Sequence, residues 1–299
     1  MCGEKLFAGN KTAEAEKVYK RAFTFAQACD KSGEATHIVA FCHYRLADIY
    51  ESRGEHDKAL SHCRLMHGVL KEKSSVTEEE RASMLTGYGT LLSRAGKKQD
   101  ATQIYLEAIE AYERANTNGN KKYYTELGTI YDYVTVMAAE ARAWKDAIMV
   151  GMLAVRNHGM SSDMPVKLEK QANSYRNLAY IYGCNGDKEM AVTSYESAIN
   201  NYKRLIQSHG DKYINHLTET FNSLISFYKN NSVSLNKVEE AYLDVIAVFE
   251  NLCLKDIKRY GENLASLYDS LSNVVSGIFN MKKSKEYKNK ANEIRAKLK

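Results

Sequence analysis

Proline is almost missing: Pro165 stands alone in 299 residues, and glycines number only 17. With so few helix breakers, and with Ala, Leu, Lys, Glu and Tyr dominating, the composition is that of helices joined by short turns. No apolar run reaches the length of a membrane span and no signal peptide is visible, so the chain reads as cytoplasmic. The six cysteines (Cys2, Cys29, Cys42, Cys63, Cys184, Cys253) show no paired short spacing such as C-x-x-C, and several fall at apolar helix positions. They read as buried free thiols of a reducing compartment rather than a disulfide framework. One alternative stays open, because Met-Cys-Gly at the start also suits a processed lipoprotein anchored through Cys2.

A strong field of one sign is missing too. The formal charge is +5 and opposite charges alternate along most of the chain, so general recruitment of nucleic acid is not expected. The exception is the stretch from Met281 to Lys299, with eight Lys/Arg against Glu286 and Glu293. It reads as a basic, solvated last helix, with an acidic partner or membrane surface as the alternative. Gly-rich phosphate loops, H-E-x-x-H, G-x-S-x-G and paired-Cys motifs are all absent.

What is present is clearest in LAYIYGCNGDKEMAVTSYESA, Leu178 to Ala198. Leu178, Ala179 and Tyr182 share one stripe of a helix; Gly186 and Asp187 break it; Ala191, Tyr195 and Ala198 begin a second stripe at i, i+4 and i+7. That is a helical hairpin whose alanines permit close approach while Leu and Tyr fill the remaining space.

These residues resemble the tetratricopeptide repeat (TPR) signature. With the second-helix alanine as a ruler, the pattern recurs at Ala15, Ala59, Ala101, Ala147, Ala191, Val238 and Tyr287, at intervals of 44, 42, 46, 44, 47 and 49 residues. A recurrence of this kind means stacked supersecondary units. The spacing exceeds the family's usual period of about 34 residues, as in the long repeats of kinesin light chains and bacterial Rap-type peptide receptors. The implied fold is all-α, a right-handed α-solenoid in one array. Residues 1–31 form a leading half-repeat, 32–255 five hairpins, and 256–299 a C-terminal capping hairpin. The unit around Ala147 is a degenerate copy, with Arg142 at the turn-glycine position; His158 to Pro165 forms the longest mid-chain loop, where Ser162 or Asp163 can cap the following helix.

In this family the first helices line the concave side, and the resemblance transfers its groove-facing stripe by position. It falls on Tyr44, Arg45 and Asp48; Thr86 and Thr90; Asp132; Asn173, Arg176, Asn177 and Tyr180; Asn222, Ser223 and Ser226; and Asn273. These are hydrogen-bonding groups. Asn carries donor and acceptor, so a ladder of them holds an extended peptide backbone, and Arg45 and Arg176 each suit a carboxylate. The Lys/Asn carboxylate clamp by which some TPR proteins hold heat-shock tails is not reproduced, since Tyr44, Asp48, Thr86, Thr90, Asp132 and Val136 stand where it needs Lys and Asn.

The first complete hairpin gathers Cys42 and His43 with His62, Cys63 and His67, which raises zinc or a Cys-His nucleophile. Spacing disfavours both, because Cys63 and His43 fall at packing positions. No cofactor and no catalytic residue is expected. The reading is a non-enzymatic scaffold or adaptor that binds a protein or peptide in its groove. Two alternatives stand beside it: a regulator that changes shape on a peptide signal, and a structural subunit of a larger assembly. Rap-type receptors carry an additional N-terminal effector region, for which there is no room before Ala15.

Overall fold

The computed structural model describes residues 2–29, 35–71, 75–117, 122–276 and 280–298, and among them every regular element is helical. In chain order these are α1 (Cys2–Ala8), α2 (Thr12–Cys29), α3 (Thr36–Ser52), α4 (His56–Lys71), α5 (Glu78–Arg94), α6 (Lys98–Thr117), α7 (Tyr124–Glu140) and α8 (Trp144–Gly159). Then follow α9 (Met164–Asn185), α10 (Lys188–His209), a 3₁₀ turn (Gly210–Tyr213), α11 (Ile214–Asn230), α12 (Leu235–Lys255), α13 (Ile257–Ser276) and α14 (Met281–Leu298).

The hairpins are made by one repeated turn. After α1, α3, α5, α7, α9 and α11 a single residue enters the left-handed region: Asn10 (φ 60°), Gly54 (75°), Gly96 (75°), Arg142 (59°), Gly186 (88°) and Ser232 (52°). The next amide then donates to the carbonyl five residues back: Lys11 to Leu6 (2.8 Å), Glu55 to Tyr50 (2.9 Å), Lys97 to Leu92 (2.9 Å), Ala143 to Ala138 (2.9 Å), Asp187 to Tyr182 (2.9 Å) and Val233 to Tyr228 (3.1 Å). This closure satisfies carbonyls at the helix end and reverses the chain. The leading segment is therefore more than a half-repeat: α1, seven residues long, is its short first helix and ends in the same turn.

Second helices seat by their alanines. Ala15, Ala59, Ala101, Ala147 and Ala191 are all fully buried where paired helices come nearest. Val238 takes that place in α12, with Tyr242, Val245 and Phe249 along the same face, all buried. Tyr242 packs edge-on against Phe221 of α11 with centroids 4.9 Å apart, yet α12 pairs more extensively with α13 than with α11. The pairing of the earlier hairpins is thus not repeated there, for want of a small residue.

Packing gathers into two compact units, Met1–Ser162 (unit 1) and Asp163–Lys299 (unit 2), each a stack of helical hairpins with its own apolar core. The boundary is the loop after α8, where Asp163 caps α9 by accepting from the Val166 amide (3.1 Å), with Pro165 in the first turn. The basic last helix finds its acidic partners inside unit 2. Lys283 reaches Glu239 (2.9 Å), Lys288 reaches Asp269 (2.9 Å), and Arg295 bridges Glu262 (2.9 Å) and Asp269 (2.7 Å).

Thiol burial divides as well. Cys42 and Cys63 are buried, whereas Cys184 is exposed and Cys253 half-buried, which corrects the reading of all six as interior groups; the side chains of Cys2 and Cys29 lie outside the described residues, as does Ile278. Cys184 falls in the last turn of α9, where the helix face turns outward next to Gly186.

Arg142 holds a left-handed backbone that costs an L-residue about 1–2 kcal/mol and glycine little. Urea unfolding should show Arg142→Gly stabilising by about 1 kcal/mol. Gly186→Ala, whose added methyl group meets nothing within 4 Å, should destabilise by about 1 kcal/mol through backbone conformation alone.

Candidate functional site

In unit 1 the first helices α3 and α5 present adjacent rows of polar side chains to one cavity of about 510 Å³. Tyr44 and Asp48 of α3 and Thr86 and Thr90 of α5 all line it, so four residues of the expected stripe come together. Thr86 donates its hydroxyl to the Ala82 carbonyl (2.8 Å) and Thr90 to the Thr86 carbonyl (2.9 Å), and the Tyr112 hydroxyl engages Thr86 in turn. Thr90 Oγ1 also lies 3.1 Å from the Tyr105 hydroxyl. Burial raises the Asp48 carboxyl above its ordinary value, against the pull of Arg45.

Arg45, at the edge of this group, is heavily engaged. Its guanidinium meets Glu4 of α1 (2.6 Å) and Asp48 (3.2 Å) and lies over the Phe41 ring at 5.3 Å. Phe7, Ser83, Arg94 and Tyr112 also line the cavity and were not in the expected stripe. Ser83 lies one turn before Thr86, a signal the spacing contained; Tyr112 lies on the second helix α6 and carried none. Glu51 at the rim is held by Arg94 (3.3 Å) and His56 (2.7 Å).

Asp132 of α7 goes elsewhere. It accepts from Nε2 of His158 (2.8 Å), whose ring is 0% exposed and lies so near α7 that a β-carbon at Gly128 would stand 2.5 Å from it. Asn173 is claimed in the same way by the Tyr202 hydroxyl (2.8 Å). His158 and Tyr202 each stand eleven residues after their hairpin's alanine, as does Tyr112, so this position on the second helix reaches across to the first-helix stripe.

In unit 2 the remaining stripe residues are spread out. Arg176 lies 3.4 Å from Glu219, an open pair of little energetic weight. Asn177 is half-buried and Tyr180 exposed on α9, and Asn222, Ser223 and Ser226 are exposed on α11. Asn222 borders a cavity of about 350 Å³ floored by Phe221, Val245, Phe249 and Leu267. Asn273 borders another, of about 530 Å³, with Tyr228, Ser232 and Tyr242. Both open beside α12.

The His/Cys group of α3 and α4 is a packing cluster. Burial pushes the Cys42 thiol up to about 11 and Cys63 up to about 12, so both remain protonated and poorly nucleophilic at neutral pH. His43 and His62 share one contact, Nδ1 to Nδ1 at 2.9 Å, and His62 stacks on Tyr50 with centroids 5.4 Å apart. His67 pairs instead with Glu107 (2.7 Å). Among the described residues no group of three or more His, Cys, Asp or Glu converges as a metal site would require. No helix among them is long and apolar enough to cross a membrane.

A family model described as tetratricopeptide repeat matches residues 39–114, that is, α3 to α6. A search of curated proteins finds no match. Similar solved structures include BtubC (BKLC) from P. vanneervenii, with a TM-score of 0.59 and 18% identity over 70% of this chain and 80% of that one. A putative kinesin light chain of TPR-like repeats from Podospora anserina has a TM-score of 0.53 and 11% identity over 69% of this chain and 94% of its own. The apo form of RapI has a TM-score of 0.51 and 12% identity over 99% of this chain and 96% of its own. At these identities the likeness is one of fold.

His43, 6% exposed, is held neutral by burial and then by His62, with its pKa lowered from 6.5 to about 4. The unfolded chain takes that proton first, so this contribution is complete above pH 6.5 and is lost as the pH falls towards 4. Urea unfolding at pH 7 and pH 4.5 should show a loss of roughly 2 kcal/mol in the natural chain that His43→Leu does not share.

Proposed function

We propose that the chain, which matches the tetratricopeptide repeat over residues 39–114 and is similar in fold to a protein of TPR-like repeats, is a non-enzymatic scaffold that binds a polypeptide segment in the first-helix groove of unit 1. The observation that carries this reading is the meeting of Tyr44, Asp48, Thr86 and Thr90 on one cavity of about 510 Å³. Those groups offer acceptors: the capacity that Tyr112 and Tyr105 leave on the two threonine oxygens, and a half-buried carboxylate. Backbone N–H groups of an extended chain complement them, and the Tyr44 and Tyr112 rings supply apolar walls. The non-enzymatic reading is supported by thiols held protonated and by His43 kept neutral in the interior. The cytoplasm is the compartment that suits such thiols, and a peptide or protein, not nucleic acid, is the partner this chemistry fits.

A second reading, as a subunit of an assembly, is favoured by exposed Leu106 of α6 and Met149 and Met152 of α8. Leu106 and Met152 occupy the same position, five residues after Ala101 and Ala147, on successive second helices. Light scattering separates the readings: oligomers that grow with concentration and are abolished by Leu106→Glu with Met152→Glu would favour assembly.

The groove is tested by panning a random dodecapeptide library against the full chain. Selected peptides should bind with micromolar Kd, and Thr90→Arg should weaken them at least about tenfold, equivalent to about 1.4 kcal/mol. Equal binding to the Thr90→Arg protein, or no selectable peptide, would refute the reading.

A further inference from the structure

Helix α1 has an unusual seat. It is seven residues long and tied to α2 by Gly9, Asn10 and Lys11. Glu4 gives its carboxylate to Arg45 (2.6 Å), a residue of the expected binding stripe. Phe7, one helical turn later, lines the same cavity as Tyr44, Asp48, Thr86 and Thr90. A carboxylate on the guanidinium and a ring in the groove are what an incoming peptide would supply.

The fit is incomplete. Arg45 Nε and the Tyr19 hydroxyl are both buried without a hydrogen-bond partner among the described residues. Tyr19 itself is 5% exposed. Two donors left unmet in the interior are an unfavourable arrangement, and an acceptor placed slightly differently would satisfy them. Both lie where α1 sits. A β-carbon at Gly3 would stand 2.7 Å from Tyr19 Cζ and 3.0 Å from its hydroxyl oxygen, so α1 approaches that ring as closely as a glycine allows. Away from this contact α1 is thinly held, with Leu6 and Phe7 only half-buried and Lys5 and Ala8 exposed.

We propose that α1 is a displaceable internal occupant of the unit 1 groove. The external ligand is then a helical segment that presents a carboxylate and an aromatic ring one turn apart, its carboxylate replacing Glu4 on Arg45. This rests on the groove reading above and adds the ligand's chemistry and its competitor. A short tether gives α1 a high effective concentration, so a ligand's apparent affinity falls by the fraction of time the groove is closed. Binding and opening are thereby one equilibrium.

The probe is a fluorescein-labelled acetyl-GEKLFAGNK-amide, the sequence of residues 3–11, measured by anisotropy against the full chain. Gly3→Val levers α1 off without touching any lining residue, and Glu4→Arg does so by charge repulsion from Arg45. Hydrogen exchange should show α1 amides losing protection in these variants while those of α3 and α5 keep theirs. The probe should bind both variants at least about tenfold tighter than the unaltered chain. A probe with Gln for Glu should lose about tenfold on Gly3→Val, and adding Arg45→Gln to Gly3→Val should abolish binding. Protection of α1 in both variants, or probe binding that opening α1 does not change, would overturn the proposal. Library-selected peptides that lose affinity on Thr90→Arg but are indifferent to Gly3→Val would leave the groove reading standing and remove this one alone.

Discussion

After α1, α3, α5, α7, α9 and α11 the chain turns back through one left-handed residue, and the amide that follows bonds to a carbonyl five positions earlier. This closure sets where each second helix starts. The buried alanine then sits five residues past the turn residue in the hairpins of Gly54, Gly96, Arg142 and Gly186. The interhelix gap is fixed by that alanine, and the places of Tyr105, Tyr195 and Cys63, all buried four residues further on, follow from the gap. The polar stripe faces outward because the opposite face of each first helix is consumed by this packing. Where the small residue is missing, as at Val238, the turn survives but the close pairing does not, and cavities open on both sides of α12.

Second helices also decide which stripe residues are available. From the position eleven residues beyond the alanine, His158 claims Asp132 and Tyr202 claims Asn173. Leu70 holds that position in α4 and has no polar group to offer; Asp48, on another row of α3, is taken by Arg45 and borders the cavity. Within unit 1 the stripe residues that meet on one cavity are therefore those of α3 and α5.

Charge follows the same logic of internal claims. The basic run of α14 reads as an external patch, yet Glu239, Glu262 and Asp269 on α12 and α13 face it at hydrogen-bonding distance. Arg45 is likewise drawn into a local network by Glu4 and Asp48. An arginine engaged by a residue of its own chain marks a place where one acceptor can be exchanged for another, which is the difference between α1 and the permanently packed helices.

The amino-acid sequence by itself determined the helices and turns from α3 to α11, while α1 and its turn at Asn10 escaped it. Helix stripes, turn conformation and alanine seats are properties of residues within a dozen positions of one another, so Ala59, Gly96 or Tyr195 can be assigned without knowledge of the rest. Even Arg142, the odd member, betrays its left-handed conformation by standing where glycines stand elsewhere. Tertiary structure alone decided which polar residues are spent and which are free. Arg45 with Glu4, Asp132 with His158 and Lys283 with Glu239 lie 41, 26 and 44 residues apart. Whether such groups meet depends on helix separations that every packed side chain between them helps to set.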